Sequence, residues 1–363
     1  MPSEPTRHRR AYIDWARGLA VLLMIEAHTF DAWTRPLSRT GRPFAYAIML
    51  GGFAAPLFLW LSGVGVALSG ASLMRRLDDR GAVVQAICRR GLEIFILAFL
   101  FRLQSFIITP GGYPVTLFRV DILNVMGPGI VVTGIVWGFS SRPSALVVAY
   151  AGLACALAMV TPMVRAWPLV DALPIWMQWY VRPAGDYTTF TLFPWAGFVL
   201  AGAACGVLLA HVRDVRTETR VHLAFAAAGA AIVGLGFYTA ARPSIYRQSS
   251  FWTSSPTYFA IRVGLLMLAL AAIYAIARTV EARGGRQLPL ERLGQHSLFI
   301  YWIHVELVYG YATWPLRHRL PLWGTVIAYA VFSALMYAAI GWRDRLVEGW
   351  RGRSLYKVKN ISV

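Results

Sequence analysis

Apolar runs of about 20 residues recur along this chain from end to end, and they limit its fold more than anything else in it. A helix needs about 20 such residues to cross roughly 30 Å of hydrocarbon. Charged residues make up 14% of the sequence, against about a quarter in soluble domains. That leaves too little polar surface to cover a water-facing globule. The expected fold is an all-α integral membrane protein, a single polytopic domain over 1–363. Ten spans are predicted, near 11–31, 46–70, 86–107, 120–140, 143–162, 190–210, 222–240, 258–278, 296–313 and 322–342. The fourth and ninth hold several polar residues. Segment 163–189, rich in Pro, Trp and Tyr, reads as a long loop at the interface, where aromatic rings settle.

A net charge of +18 raises the question of nucleic acid. The arginines sit mostly in short stretches between apolar runs, which is the pattern of membrane topology, and no basic stripe is interleaved with exposed aromatics. No nucleic-acid partner is expected. With ten spans, the 35 Lys and Arg divide 22 to 10 in favour of the side holding the termini, with Arg17, Arg102 and Arg262 inside spans. Basic loops stay cytoplasmic, so both termini are predicted there, with a basic N-terminus (1–10) and a basic tail (343–363). The first run has no small-residue cleavage site after it and is expected to stay as a span. Cys88, Cys155 and Cys205 are not at metal spacing and read as small buried residues. No metal is expected. Internal repeats of the transporter kind are not visible.

The first span carries the chemistry. Asp14, Arg17, His28 and Asp31 are separated by 3, 11 and 3 residues. Eleven steps at 100° per residue return to within about 20° of the start, so the four form one narrow stripe, and Arg17 and His28 lie about 16 Å apart along the axis. Glu26 falls on the opposite face and is expected to have a separate partner. Charges in a span normally face a bundle interior or a water-filled cavity. Asp14 and Arg17, at i and i+3, are also placed simply to pair with each other. A histidine on the same stripe points further, to function.

The second span contains Phe58 and, after it, Ser62, Gly63 and Gly65, small residues that let helices approach closely. Arg102 reads as snorkelling outward, and Asp121 as a helix cap before Asn124. Arg262 opens the eighth span after the hydroxyl-rich turn Ser249–Ser255.

Asp14-x-x-Arg17-Gly18, a histidine eleven residues after the arginine, and Phe58-x-x-x-Ser62-Gly63 resemble the opening of the transmembrane acyltransferase superfamily. Within it, Asp121–Gly127, Phe193–Gly197 and Leu293–His304 make the chain look most like the heparan-alpha-glucosaminide N-acetyltransferase catalytic-domain family, including its bacterial members. The resemblance implies a bacterial inner-membrane enzyme that takes an acyl group, acetyl in the first place, from acyl-CoA in the cytoplasm. It delivers that group to a hydroxyl or amine acceptor, usually a sugar, on the far side. The related acyltransferase-3 family has an arginine and a histidine at the spacing of Arg17 and His28. The loop 71–90 aligns with no CoA-binding motif, and glucosamine specificity is not implied.

On that basis His28, Asp31, Asp14 and Arg17 are the candidate catalytic residues, with His28 as general base or acyl carrier and Asp31 orienting its ring. Arg17, Arg89 and Arg90 are candidates for holding the phosphates of acetyl-CoA. Trp195, Ser254, Arg262 and His304 are candidates for binding the acceptor. The partners expected are the lipid bilayer, acyl-CoA and a sugar or glycan, and a homodimer is left open. A proton-coupled transporter and a non-catalytic scaffold are the competing readings; intramembrane Asp, Arg and His also suit a proton relay.

Overall fold

The computed structural model describes residues 10–108, 113–188, 190–284 and 288–359, with side chains given up to 348 except at Asp186. Residues 1–9 of the predicted basic N-terminus and most side chains of the 343–363 tail therefore lie outside the described part. The helices are α1 (Ala11–Trp33), α2 (Arg42–Gly51), α3 (Ala54–Leu77), α4 (Arg80–Ile108), α5 (Ile122–Phe139), α6 (Pro143–Ala166) and α7 (Ile175–Gln178). They continue as α8 (Leu192–Ala210), α9 (Val215–Ala240), α10 (Pro256–Ala282), α11 (Pro289–Gln295), α12 (Ser297–Tyr309) and α13 (Leu322–Lys359). Among the described residues, extended pairing is confined to two isolated bridges, Thr34 with Leu320 and Val120 with Thr188. The protein is an all-α integral membrane protein.

Among the described residues, eight helical stretches are long and apolar enough to cross a membrane, two fewer than the ten expected. The two that fall short do so for different reasons. α1 has 23 residues, ample length, but holds Asp14, Arg17, Glu26 and Asp31. α12 is apolar but has only 13 residues, about 20 Å at 1.5 Å per residue. It cannot bridge the hydrocarbon alone, because His296 leaves helical geometry before it and Gly310 ends it.

The chain forms two compact units, residues 1–54 with 285–363, and residues 55–284. In the first unit α1 packs on α2, α11, α12 and α13. Lipid tails are as apolar as leucine, so close packing and interhelical hydrogen bonds must hold membrane helices together. A Cβ on Gly18 would lie 2.0 Å from Leu290 O, and one on Gly294 1.8 Å from Asp14 O. The two glycines thus let the backbones of α1 and α11 touch. At the other end of α1, Leu320 N–H donates to Trp33 O at 2.9 Å, Arg35 N–H to Leu320 O at 2.8 Å, and the Trp33 indole to Val308 O at 3.2 Å. The first two bonds hold the chain just before α13 beside the end of α1, and the third holds the end of α12 there.

In the second unit α3 crosses α8 just as closely. A Cβ on Gly63 would lie 1.9 Å from Val199 O, and one on Gly202 1.9 Å from Trp60 O. The small residues of the second span are there for this crossing. The predicted loop 71–90 is mostly helix. α3 runs to Leu77, Asp78 turns the chain at φ 49°, and α4 starts at Arg80. Arg75, Arg76, Arg89 and Arg90 are helical, because an aspartate tolerates the left-handed turn that shortens the connection.

Segment 163–189 is not an unstructured interfacial loop throughout. Trp167 and Trp176 are exposed, but Trp179 is buried and stacks on Tyr187 with centroids 4.8 Å apart. Arg182 holds the segment by donating to Arg165 O and Trp167 O, each at 2.6 Å, and by pairing with Asp171.

Candidate functional site

Asp14 and Arg17 pair within α1 at 3.1 Å. Asp14 is 2% exposed, while the Arg17 side chain keeps 32% of its surface open. The pair neutralises a carboxylate that would be costly to bury alone, and the guanidinium still has surface for an anion.

About three turns further along, His28 is half-buried. Its Nδ1 stands 3.1 Å from the Tyr309 hydroxyl, and that hydroxyl donates to Asp31 Oδ2 at 2.7 Å. With Asp31 exposed near the end of α1, its carboxylate reaches the imidazole through Tyr309. Arg39 flanks the same aspartate, with Nη1 4.0 Å from Oδ1 and Nη2 bonded to the Asp31 carbonyl.

His304 joins this group. It is fully buried, and its ring centroid lies 5.2 Å from that of His28. Its Nδ1 sits 2.9 Å from the carbonyls of Ile300 and Tyr301. His28, Asp31 and His304 thus converge. Tyr309 was missed by sequence reasoning, since it lies 281 positions from His28 and no spacing rule connects them.

Glu26 does not have the partner expected of it. Neither carboxylate oxygen is hydrogen-bonded among the described residues, and the group packs where a Cβ on Gly51 would come within 2.3 Å of Oε2. The missing Cβ makes room for the carboxylate.

The remaining candidates lie in the second unit. Arg89 and Arg90 are exposed on α4 and both pair with Glu93, at 3.1 and 3.4 Å. Pairs so exposed are worth about 0–1 kcal/mol and break readily for another anion. Arg262 donates to the Tyr258 hydroxyl at 2.8 Å and lies over the rings of Tyr258 (4.2 Å) and Trp195 (5.7 Å). Tyr258 in turn packs on Phe251 and Trp252, with centroids about 5 Å apart. Trp195 and Arg262 are therefore brought together. The Ser254 hydroxyl is used inside its own turn, accepting from Ser250 N–H at 2.9 Å.

Arg102 does not snorkel. Its guanidinium meets Asp121 Oδ2 at 2.6 Å, with both side chains largely buried. Asp121 is also the predicted cap, forming a reciprocal capping box with Asn124. The Asn124 amide goes on to donate to the Tyr180 hydroxyl at 3.2 Å, and burial pushes that phenol up to about 12. A cap that doubles as a counter-ion gives Arg102 an inward partner better than the distant interface.

A chain with these apolar helices and intramembrane charges belongs to the class of multi-pass membrane enzymes if its family does, and the comparison with known families answers this. The family model described as an acyltransferase domain matches residues 10–341. The chain belongs to this acyltransferase-3 family, whose class is that of the membrane acyltransferases. No curated protein matches it significantly. The narrower likeness to the heparan-alpha-glucosaminide enzymes is not reached by this match.

Proposed function

We propose that this enzyme moves an acyl group, acetyl by preference, from acyl-CoA to a hydroxyl or amine of a sugar or glycan at or across a bacterial inner membrane. One observation carries the reading: His28 is linked through Tyr309 to the Asp31 carboxylate and faces His304, all in one unit with Arg17. His28 takes the proton of the acceptor as its oxygen or nitrogen attacks the thioester carbonyl. The carbon–sulfur bond then breaks, and the proton passes to the departing thiolate. A thioester is already activated, so positioning and one base suffice. Arg17 supports binding of a donor phosphate, with Arg89 and Arg90 as further candidates. Trp195 and Arg262, together in an aromatic cluster, support an acceptor with both apolar faces and polar groups. The narrower kinship with the heparan-alpha-glucosaminide N-acetyltransferases rests on the later motifs alone and carries no claim about glucosamine. The arginine asymmetry supports cytoplasmic termini, and a homodimer is compatible with this reading.

Acetyl-CoA at about 100 times its Kd should stabilise the detergent-solubilised protein by about 2.7 kcal/mol, read as a raised melting temperature. Arg17→Ala should remove most of that gain. No stabilisation of the wild type at any concentration, together with proton-driven solute uptake in liposomes, would instead favour the transporter. For the topology, a cysteine in Arg42→Cys should react with an impermeant reagent from the periplasm, and one in Arg353→Cys should not. The opposite labelling would reverse the assigned sidedness.

A further inference from the structure

Tyr309 takes no part in the steps just given, yet its hydroxyl lies between the two groups they depend on. A phenol has a single proton, and an ionised carboxylate has only lone pairs. Tyr309 gives that proton to Asp31 Oδ2 at 2.7 Å. Toward His28 Nδ1, 3.1 Å away, the same oxygen can offer only lone pairs. A hydrogen bond at this distance needs one proton between the two atoms, and Nδ1 must supply it.

We propose that Tyr309 is a positioning residue that holds His28 in the tautomer protonated on Nδ1, so that Nε2 is the nitrogen presented to the acyl acceptor. The tautomer follows from the hydrogen bonds alone; only the last clause rests on the acyl-transfer reading. Once His28 has taken a proton on Nε2, its Nδ1–H still points at the Tyr309 oxygen, and the Asp31 charge lies one bond further on. The relay thus favours the protonated ring without moving any group.

Three contacts keep Tyr309 in place. The bond from the Trp33 indole to Val308 O ties the end of α12 to α1. Gly310 N–H donates to Glu306 O at 2.9 Å and closes the helix directly after Tyr309. Arg39 takes the Oδ1 side of Asp31 and leaves Oδ2 to the phenol.

His304 obeys the same rule. Its Nδ1 lies between two carbonyl oxygens, which only accept, so this nitrogen also carries the proton. Its Nε2 is buried and has no hydrogen-bond partner among the described residues.

The test is 15N spectroscopy of histidine-labelled, full-length protein in nanodiscs, with the His28 signals assigned by their loss in His28→Gln. Nε2 of His28 should resonate as a pyridine-type nitrogen and Nδ1 as a pyrrole-type one. In Tyr309→Phe this preference should disappear and the two signals should move toward each other. The variant's kcat should fall about 10- to 100-fold, the range seen when a residue orienting a functional histidine is lost, while KM for both substrates changes less than about twofold. A pyrrole-type Nε2 in the wild type, or a Tyr309→Phe protein with unchanged tautomer and unchanged kcat, would overturn the assignment. The wild-type spectrum decides the question even if the variant does not fold. If no acyl transfer is found but the tautomer depends on Tyr309, the proposed reaction fails and the positioning role stands.

Discussion

His28→Ala is expected to lower acyl transfer by about 10²- to 10⁴-fold, the usual contribution of a general base, or to abolish it if the imidazole carries the acyl group itself. Stability should change little. The ring is half-buried, and the Tyr309 hydroxyl it meets keeps Asp31 as partner. His28→Gln should behave in the same way, since an amide fills the space without taking a proton. The measurement is thiol release from acetyl-CoA in proteoliposomes supplied with an acceptor, alongside a thermal melt. Wild-type turnover by the alanine variant would remove His28 from the mechanism and, with it, the catalytic reading of the whole stripe.

Gly202→Leu is expected to have the largest effect on stability. A Cβ at this position would lie 1.9 Å from Trp60 O and 2.7 Å from the Trp60 carbonyl carbon. Neither atom belongs to a flexible side chain. The helices cannot slide to relieve the clash, because Gly63 makes the matching contact with Val199 O in the same crossing. Trp60, Leu59, Val199 and Ala203 are all completely buried there. Overpacking ordinarily costs about 1–3 kcal/mol, and a collision with backbone on both sides should exceed about 3 kcal/mol. That is a large part of the 5–15 kcal/mol by which a typical protein is stable. The expected result is loss of the monodisperse peak in detergent gel filtration. A Gly202→Leu protein that eluted and melted like the wild type would show that α3 and α8 do not meet at these glycines.

These two positions show how differently parts of the protein could be read from sequence. His28 was legible because a helix repeats every 3.6 residues, so residues 14, 17, 28 and 31 fall on one stripe whatever surrounds them. The cap at Asp121 was legible too, since capping is a property of one helix end. Gly63 could be recognised as a small packing residue, but its partner could not. Whether Arg102 faces lipid or protein was a matter of which neighbour lay near. The expectation of snorkelling failed because Asp121, a cap in its own right, supplies an anion inside the unit. α12 was predicted as a full span from apolar composition; its 13 residues came from the irregular geometry at His296 and Gly310, which composition does not reveal.

The amino-acid sequence alone thus settled the membrane class, nearly all the helices, and the polar face of the first one. All of these follow from hydrophobic transfer and from helical periodicity, which act over a few turns of chain. The tertiary structure decided which groups meet: Tyr309 between His28 and Asp31, His304 beside His28, Arg102 on Asp121, and Gly18 against Leu290. Such pairings are fixed by the packing of helices distant in the chain. Their energies are local in space, and periodicity along the chain carries no record of them.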